Sequence, residues 1–394
     1  MAGMRAMIVG AGIGGLTAAI ALRRAGIDVT VFERAEEIKE VGAGILLAAN
    51  AIAALGEVGL ADDVGRLGTP AFAGRVFTCL GKTLTEVPVE QLERMVGVPS
   101  AAVHRADLQE LLLCKLGRQN VRLGAECSGF EQDDEGADVV FADGSRERGD
   151  VLIGADGLHS TVRAGLFGPE KPRYAGYTAW RAVVRPGRGL LSWGMAFESW
   201  GRGARFGCAH IGDGRVYWFA TRNAPEGERD GLPGSPSGSK AVLTELFGGW
   251  HHPIPTLVAE TDEEAIRRDD LYDREPLAGS WGTGRVTLLG DAAHPSTPNL
   301  GQGACQAIED ARALSRCLEA IETTSAPGGV ASALRRYEDL RRERTSWIVR
   351  RSRAIGRVGQ IENPLLCRLR NAALKATPDR LQLRQFESVV RPES

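Results

Sequence analysis

Three clusters of small and acidic residues carry the legible chemistry of this 394-residue chain. In Gly10-Ala11-Gly12-Ile13-Gly14-Gly15, glycines recur at Gly10, Gly12 and Gly15. Such spacing lets a backbone approach a pyrophosphate, whose charge then sits at the positive N-terminus of the following helix. Glu33 closes the next apolar run, where a carboxylate can accept hydrogen bonds from a ribose diol. Its neighbour Arg34 reads either as a cofactor contact or as a solvated surface charge. The second cluster is Gly154-Ala155-Asp156-Gly157, with Ser160, Val162 and Arg163 behind it. The third is Gly290-Asp291-Ala292-Ala293-His294-Pro295, followed by Pro298 and Gly301-Gln302-Gly303. The first cluster predicts a dinucleotide site without choosing between nicotinamide and flavin nucleotides.

Each cluster needs a strand to deliver it. Ala6-Met7-Ile8-Val9, the glycine turn, an apolar helix through Leu16, Ala19, Ile20 and Leu22, and Val29-Thr30-Val31-Phe32 read as a βαβ unit. Asp150 to Ile153 and Arg285 to Leu289 are the strand-like runs before the other two clusters. Between Tyr174 and Ala220 short aromatic and β-branched runs, broken at Gly212-Asp213-Gly214, predict an antiparallel sheet in a second domain. Asn223 to Lys240 reads as a surface loop. From Gly303, apolar residues recur at helical spacing through Ile321, and Pro327-Gly328-Gly329 breaks the pattern. Leu334 to Gly359 and Pro364 to Ala376 read as helices, and the tail after Asp379 as peripheral.

Composition narrows the function classes. A formal charge of −2 gives the whole molecule no attraction for nucleic acid. Seven cysteines without paired spacing suit reduced thiols in a cytoplasmic protein, and six histidines without a Cys/His cluster give no metal site. The sequence shows no signal peptide and no apolar run of membrane-spanning length. From Arg341 onward Lys and Arg outnumber Asp and Glu by 13 to 5, which reads either as a solvated helix face or as a weak peripheral membrane contact.

With the three clusters in this order, residues 4 to 376 resemble the class A flavoprotein monooxygenases, the family of para-hydroxybenzoate hydroxylase, and most closely its salicylate hydroxylase and zeaxanthin epoxidase branch. The resemblance implies an α/β fold. A Rossmann-like FAD-binding domain (1–72, 100–172 and 268–325) would be interleaved with a mainly antiparallel substrate domain (73–99 and 173–267), with C-terminal helices over 326–394. It implies FAD bound through Gly10, Gly12, Ile13, Gly14, Gly15, Glu33 and Arg34, with Gly44 of the loop Gly42-Ala43-Gly44-Ile45 against the flavin ring and Arg105 on the diphosphate. Asp156 and Gly157 would serve FAD and the transient NAD(P)H. Asp291 would meet the ribityl chain, and Pro298, Gly301, Gln302 and Gly303 would complete the cradle. His294 and Pro295 would border the flavin.

In that family the cofactor carries the reaction. NAD(P)H reduces the flavin, O2 adds at C4a, and one oxygen atom passes to an electron-rich carbon by hydroxylation or epoxidation. The site must therefore exclude water. Tyr177, Trp180, Arg205, Tyr217, Phe219 and Pro295 are pocket candidates. Alternation puts Tyr217, Phe219 and Thr221 on one strand face, without saying which face meets the flavin. Asn299 stands where relatives that hydroxylate purine-like rings carry an acid, which argues against urate. A monomer or homodimer is expected. A flavin reductase of the same fold and a non-catalytic FAD-binding relative are the competing readings; a halogenase is disfavoured because Gly249 to Pro255 has a single Trp.

Overall fold

Ala6 to Val9 and Val151 to Ile153 are uninterrupted apolar runs, and all are buried in the computed structural model, as strands covered on both faces must be. The structure describes residues 3–38, 43–70, 73–87, 89–187, 189–231, 238–324 and 329–392. Gly42, the Pro327-Gly328 break and part of the 223–240 loop lie outside them.

The buried runs form a five-stranded sheet in the order Val286–Leu288, Val151–Gly154, Arg5–Val9, Asp28–Phe32 and Val121–Arg122. Every pairing in it is parallel. The three strands that lead into the glycine and aspartate clusters are thus neighbours, and their C-terminal turns fall along one edge. Helices Ile13–Arg24 and Gly303–Thr324 pack against each other beside this edge.

A seven-stranded sheet follows the order Arg267–Asp273, Arg173–Val184, Val216–Asn223, Ala204–His210, Met195–Trp200, Ala73–Thr78 and Thr83–Val87. It is antiparallel except where Met195–Trp200 runs parallel to Ala73–Thr78. The expected hairpin is present: Gly212, Asp213 and Gly214 all have positive φ between Ala204–His210 and Val216–Asn223. Trp180, Phe206 and Trp218 form the core on one face, beneath helices Ser239–Phe247 and Ile254–Glu260.

Strand Arg267–Asp273, most of which was expected in the first domain, pairs with Arg173–Val184 and so belongs to the second sheet. The tail after Asp379 is not peripheral: it forms helix Asp379–Val390, buries Leu383, Val389 and Val390, and packs on strand Thr83–Val87 and helix Val89–Val96. The helix expected from Leu334 starts at Gly329 and runs to Gly359. It packs on Gly303–Thr324 and reaches the second sheet, where glycines let it approach. A Cβ on Gly356 would lie 2.6 Å from Asn299 Nδ2, and one on Gly359 would lie 2.9 Å from Arg205 Cδ.

Candidate active site

The glycine turn is built by exclusion at three positions and left open at a fourth. Gly10 has φ +109°, and a Cβ there would stand 2.4 Å from the Ala155 carbonyl oxygen. A Cβ on Gly15 would stand 2.1 Å from the Gly10 oxygen, and one on Gly14 would meet Leu289 and Ala307 at under 3 Å. Around Gly12 there is nothing within 4 Å. The open position precedes helix Ile13–Arg24 and faces a cavity of about 1040 Å³, lined here by Gly12, Ile13 and Gly14. The Glu33 carboxylate accepts from the Ala11 amide at 2.9 Å and the Ala35 amide at 3.0 Å, pinning the turn to its strand. Arg34 is exposed and does not line the cavity.

The other two turns join this one. Buried Arg163 donates to the Ala292 and Ala293 carbonyls at 3.1 and 3.0 Å, so the second motif holds the third in place. The Asp156 carboxylate accepts from the Thr161 and Val162 amides and caps helix Thr161–Phe167. Gly157, φ +79°, lines the cavity, whereas Asp156 shapes the turn. Asp291 opens onto the cavity. Asp291 is exposed to the cavity space, and desolvation by the walls around it pushes its pKa up against the pull of His294 and Arg105, with Asp310 adding to the rise. Pro298, Gly301 and Gly303 line the same wall, and Gly303 begins the long helix.

Arg105 lines the cavity at the start of helix Arg105–Leu116, which Gln109 anchors to the Ala11 carbonyl at 2.8 Å. Burial lowers its pKa, as does Arg181, while Asp291 raises it. No protein group hydrogen-bonds its guanidinium among the described residues. A cation with no hydrogen-bond partner for its guanidinium among the described residues, lining the same cavity as a helix N-terminus and a turn with free space, fits a diphosphate.

Three expected contacts point elsewhere. Gln302 is buried against Asn50 and Gln306, since its side chain faces the helix core. His294 Nε2 lies 2.6 Å from the buried Asp310 carboxylate, and Pro295 is buried outside the cavity lining. The loop before them turns inward because Asp310 also accepts from the Gly290 amide at 3.0 Å.

On the second sheet, Tyr217, Phe219 and Thr221 line the cavity, while Trp218 and Ala220 sit in the core. Both rings rest on glycines, Tyr217 on Gly44 and Phe219 on Gly207, where a Cβ would intrude to 2.6 and 2.4 Å. Burial pushes the Tyr217 phenol up to about 12, so it stays protonated. Trp180 is core, bonded to Asp230 between Arg222 and Arg268. Tyr177 is buried behind Asn299, to which it is hydrogen-bonded, and does not line the cavity.

Arg205 does line it, although only 2% exposed. Its guanidinium donates to Asn299 Oδ1 at 2.6 Å, to Gln360 Oε1 at 2.9 Å and to Glu198 Oε1 at 3.1 Å. A guanidinium has five N–H donors, so two remain for a ligand. Gln360, Glu198 and the wall residues Phe197, Ile355 and Phe386 escaped the sequence reading. The glycine pair Gly356 and Gly359, costly inside a helix, was the available signal for close packing at Gln360.

The comparisons agree with this geometry. A family model described as an FAD binding domain matches residues 4–173 and 254–352. The chain is 43% identical to an aurachin C monooxygenase/isomerase of Stigmatella aurantiaca, over 97% of each chain. It is 36% identical to an FAD-dependent urate hydroxylase of Klebsiella pneumoniae, over 89% of each. The crystal structure of Klebsiella pneumoniae HpxO with FAD and uric acid superposes with a TM-score of 0.90 at 32% identity, covering 98% of this chain and 96% of that one. With a dinucleotide cradle, a cavity continuous with it and relatives of this kind, the chain belongs to the class A FAD-dependent monooxygenases.

Proposed function

We propose that this monooxygenase acts on an aromatic or polyene molecule bearing an acceptor oxygen, such as a ring carbonyl or hydroxyl, which Arg205 orients. The observation that carries the proposal is the buried Arg205 guanidinium, held on three sides by Asn299, Gln360 and Glu198 and facing the cavity with donors to spare. A buried charge held by several hydrogen bonds is fixed in direction, so it can select the orientation of a ligand as well as bind it. Tyr217 and Phe219 provide a flat apolar wall for the ring.

Bound FAD, reduced by NAD(P)H, would supply the activation of O2, from which the transferred oxygen atom comes. The chain's own residues hold and shield it. In this reading the Gly12 to Gly14 backbone and Arg105 bind the diphosphate, Glu33 the ribose and Asp291 the ribityl chain. The Gly301 to Gly303 backbone at the start of the long helix places positive dipole at the flavin's pyrimidine edge. Gly44, seated on the Tyr217 ring, closes the gap between the cradle and the substrate wall and keeps water from the reacting face.

Urate is disfavoured. Asn299 gives Arg205 a neutral amide oxygen where the urate-type relatives would place an acid, so the guanidinium is paired here with the Glu198 carboxylate and not with residue 299. The test is a screen of aromatic acids, phenols, quinolones and polyenes for stimulation of NAD(P)H oxidation by the FAD-loaded protein. A ring compound with an acceptor oxygen should stimulate oxidation and emerge heavier by one oxygen atom. Stimulation by urate alone, or by ring compounds without such an oxygen as strongly as by those with one, would refute the assignment.

A further inference from the structure

The cavity does not end at the sheet. It continues to an opening between the C-terminal helices, where Ala354 and Val358 of Gly329–Gly359, Leu374 of Pro364–Ala376 and Phe386 of Asp379–Val390 form the rim. Val358 and Phe386 are partly open to solvent there.

Helix Pro364–Ala376 shows the opening's surroundings most clearly. Cys367 and Arg370 are buried, and Arg370 clamps the helix to the Gly201 and Gly359 carbonyls at 3.0 and 3.1 Å. The face opposite Leu374 carries Leu365, Leu366 and Leu369, which are 67%, 50% and 66% exposed, followed by exposed Ala372, Ala373 and Ala376. Leu381 on the next helix is 49% exposed. Leucines clustered this way on a surface are a recognition feature, unlike scattered single ones. Around them stand Arg351, Arg357, Arg368, Lys375, Arg380 and Arg384, all exposed and with no ion pair or hydrogen bond from their side chains among the described residues. Exposed acids on the same stretch are Glu362 and Asp379.

We infer that these helices dock on an anionic lipid bilayer, with leucines in the interfacial layer and basic side chains on the headgroups. An apolar stripe flanked by Lys and Arg is the signature of a helix that lies in a bilayer interface. No helix among the described residues is long and apolar enough to cross a membrane, so the contact is peripheral. The charge also argues against a second copy as the occupant. A two-fold contact through this face would set the basic cluster of Arg368, Lys375, Arg380 and Arg384 against the same cluster of the second copy.

The experiment is vesicle flotation of the FAD-loaded protein, with phosphatidylcholine vesicles and with vesicles of phosphatidylcholine mixed with phosphatidylglycerol. It reads no turnover, so its result is separate from the substrate assignment. The protein should float with the anionic vesicles, weakly with the neutral ones, and be released by added salt. The variant R368Q/K375Q/R380Q/R384Q should lower partitioning on the order of several hundredfold, at about fivefold per basic residue. L365S/L366S/L369S should also abolish flotation, while both variants keep their flavin and their NAD(P)H oxidation in free solution. Failure of the parent protein to float with anionic vesicles, or flotation unchanged in both variants, overturns the proposal. So does sedimentation showing a stable dimer that the leucine variant splits, since the face would then belong to a second copy.

Discussion

Gly10 and Gly12 sit two residues apart in one turn for opposite reasons. Gly10 is required by the fold, because its φ of +109° and the nearby Ala155 oxygen leave no place for a side chain. Gly12 has free space in the apoprotein, so its lack of a side chain serves whatever enters that space. Gly12→Ala should therefore change unfolding free energy by no more than about 1 kcal/mol, the scale of an N-cap change, yet lose FAD at micromolar cofactor. Gly10→Ala should cost on the order of 4 kcal/mol and lose FAD through misfolding. Thermal unfolding with flavin absorbance measured side by side checks the pair; equal stability losses in both would contradict the distinction. At Arg205, Lys keeps the charge and removes the planar fork. Arg205→Lys is expected to raise KM about 10- to 100-fold with flavin content unchanged, the loss of one or two charge-assisted hydrogen bonds, as steady-state kinetics on the screened substrate will show.

Among the elements, those whose apolar period is set by burial were legible in the sequence. Arg5–Val9, Ile13–Arg24 and Asp28–Phe32 stand where alternation and glycine punctuation put them, and helix Pro364–Ala376 has the expected ends. Strand Arg267–Asp273, RRDDLYD, carries charge at most positions and gave no strand signal; its partner Arg173–Val184 defines it. The least legible feature was the buried polar layer between the two long helices. Asp310 accepts from Arg341 Nε at 2.8 Å, from His294 and from the Gly290 amide, and Arg341 also reaches Gln306 and Glu309. Sequence periodicity places Arg341 on the apolar face shared by Leu334, Tyr337 and Ile348, a position that should have marked it as paired. Burial would raise the Asp310 pKa, but His294 and Arg341 outweigh it and hold the carboxyl below its usual range. A depressed carboxylate contributes stability that is present above its unfolded value near ~3.9 and lost as pH falls through the folded one. Arg341→Met should cost about 3–5 kcal/mol near neutrality by stranding buried charge, and should move the acid unfolding midpoint upward. Denaturant titrations across acid pH would show both effects.

At the scale of the whole molecule, adjacency that no single motif reveals makes the site. Three turns scattered along the chain meet because their strands are parallel neighbours, and Arg163 ties two of them. The spacing of the motifs conveyed that the three turns belong together, while the rest of the cavity was read only in part. Its walls come from the second sheet, the long helix and the last two helices, and such packing between distant segments leaves no local period to read. Under the proposed function, one cavity joins a flavin cradle to an Arg205-anchored chamber where oxygen is transferred. The most direct test is the mass of the product formed by FAD-loaded protein, NAD(P)H and the screened substrate under isotopically labelled dioxygen. One labelled oxygen atom is expected in the product, with little peroxide. Label appearing only in peroxide, or product oxygen drawn from water, would contradict it.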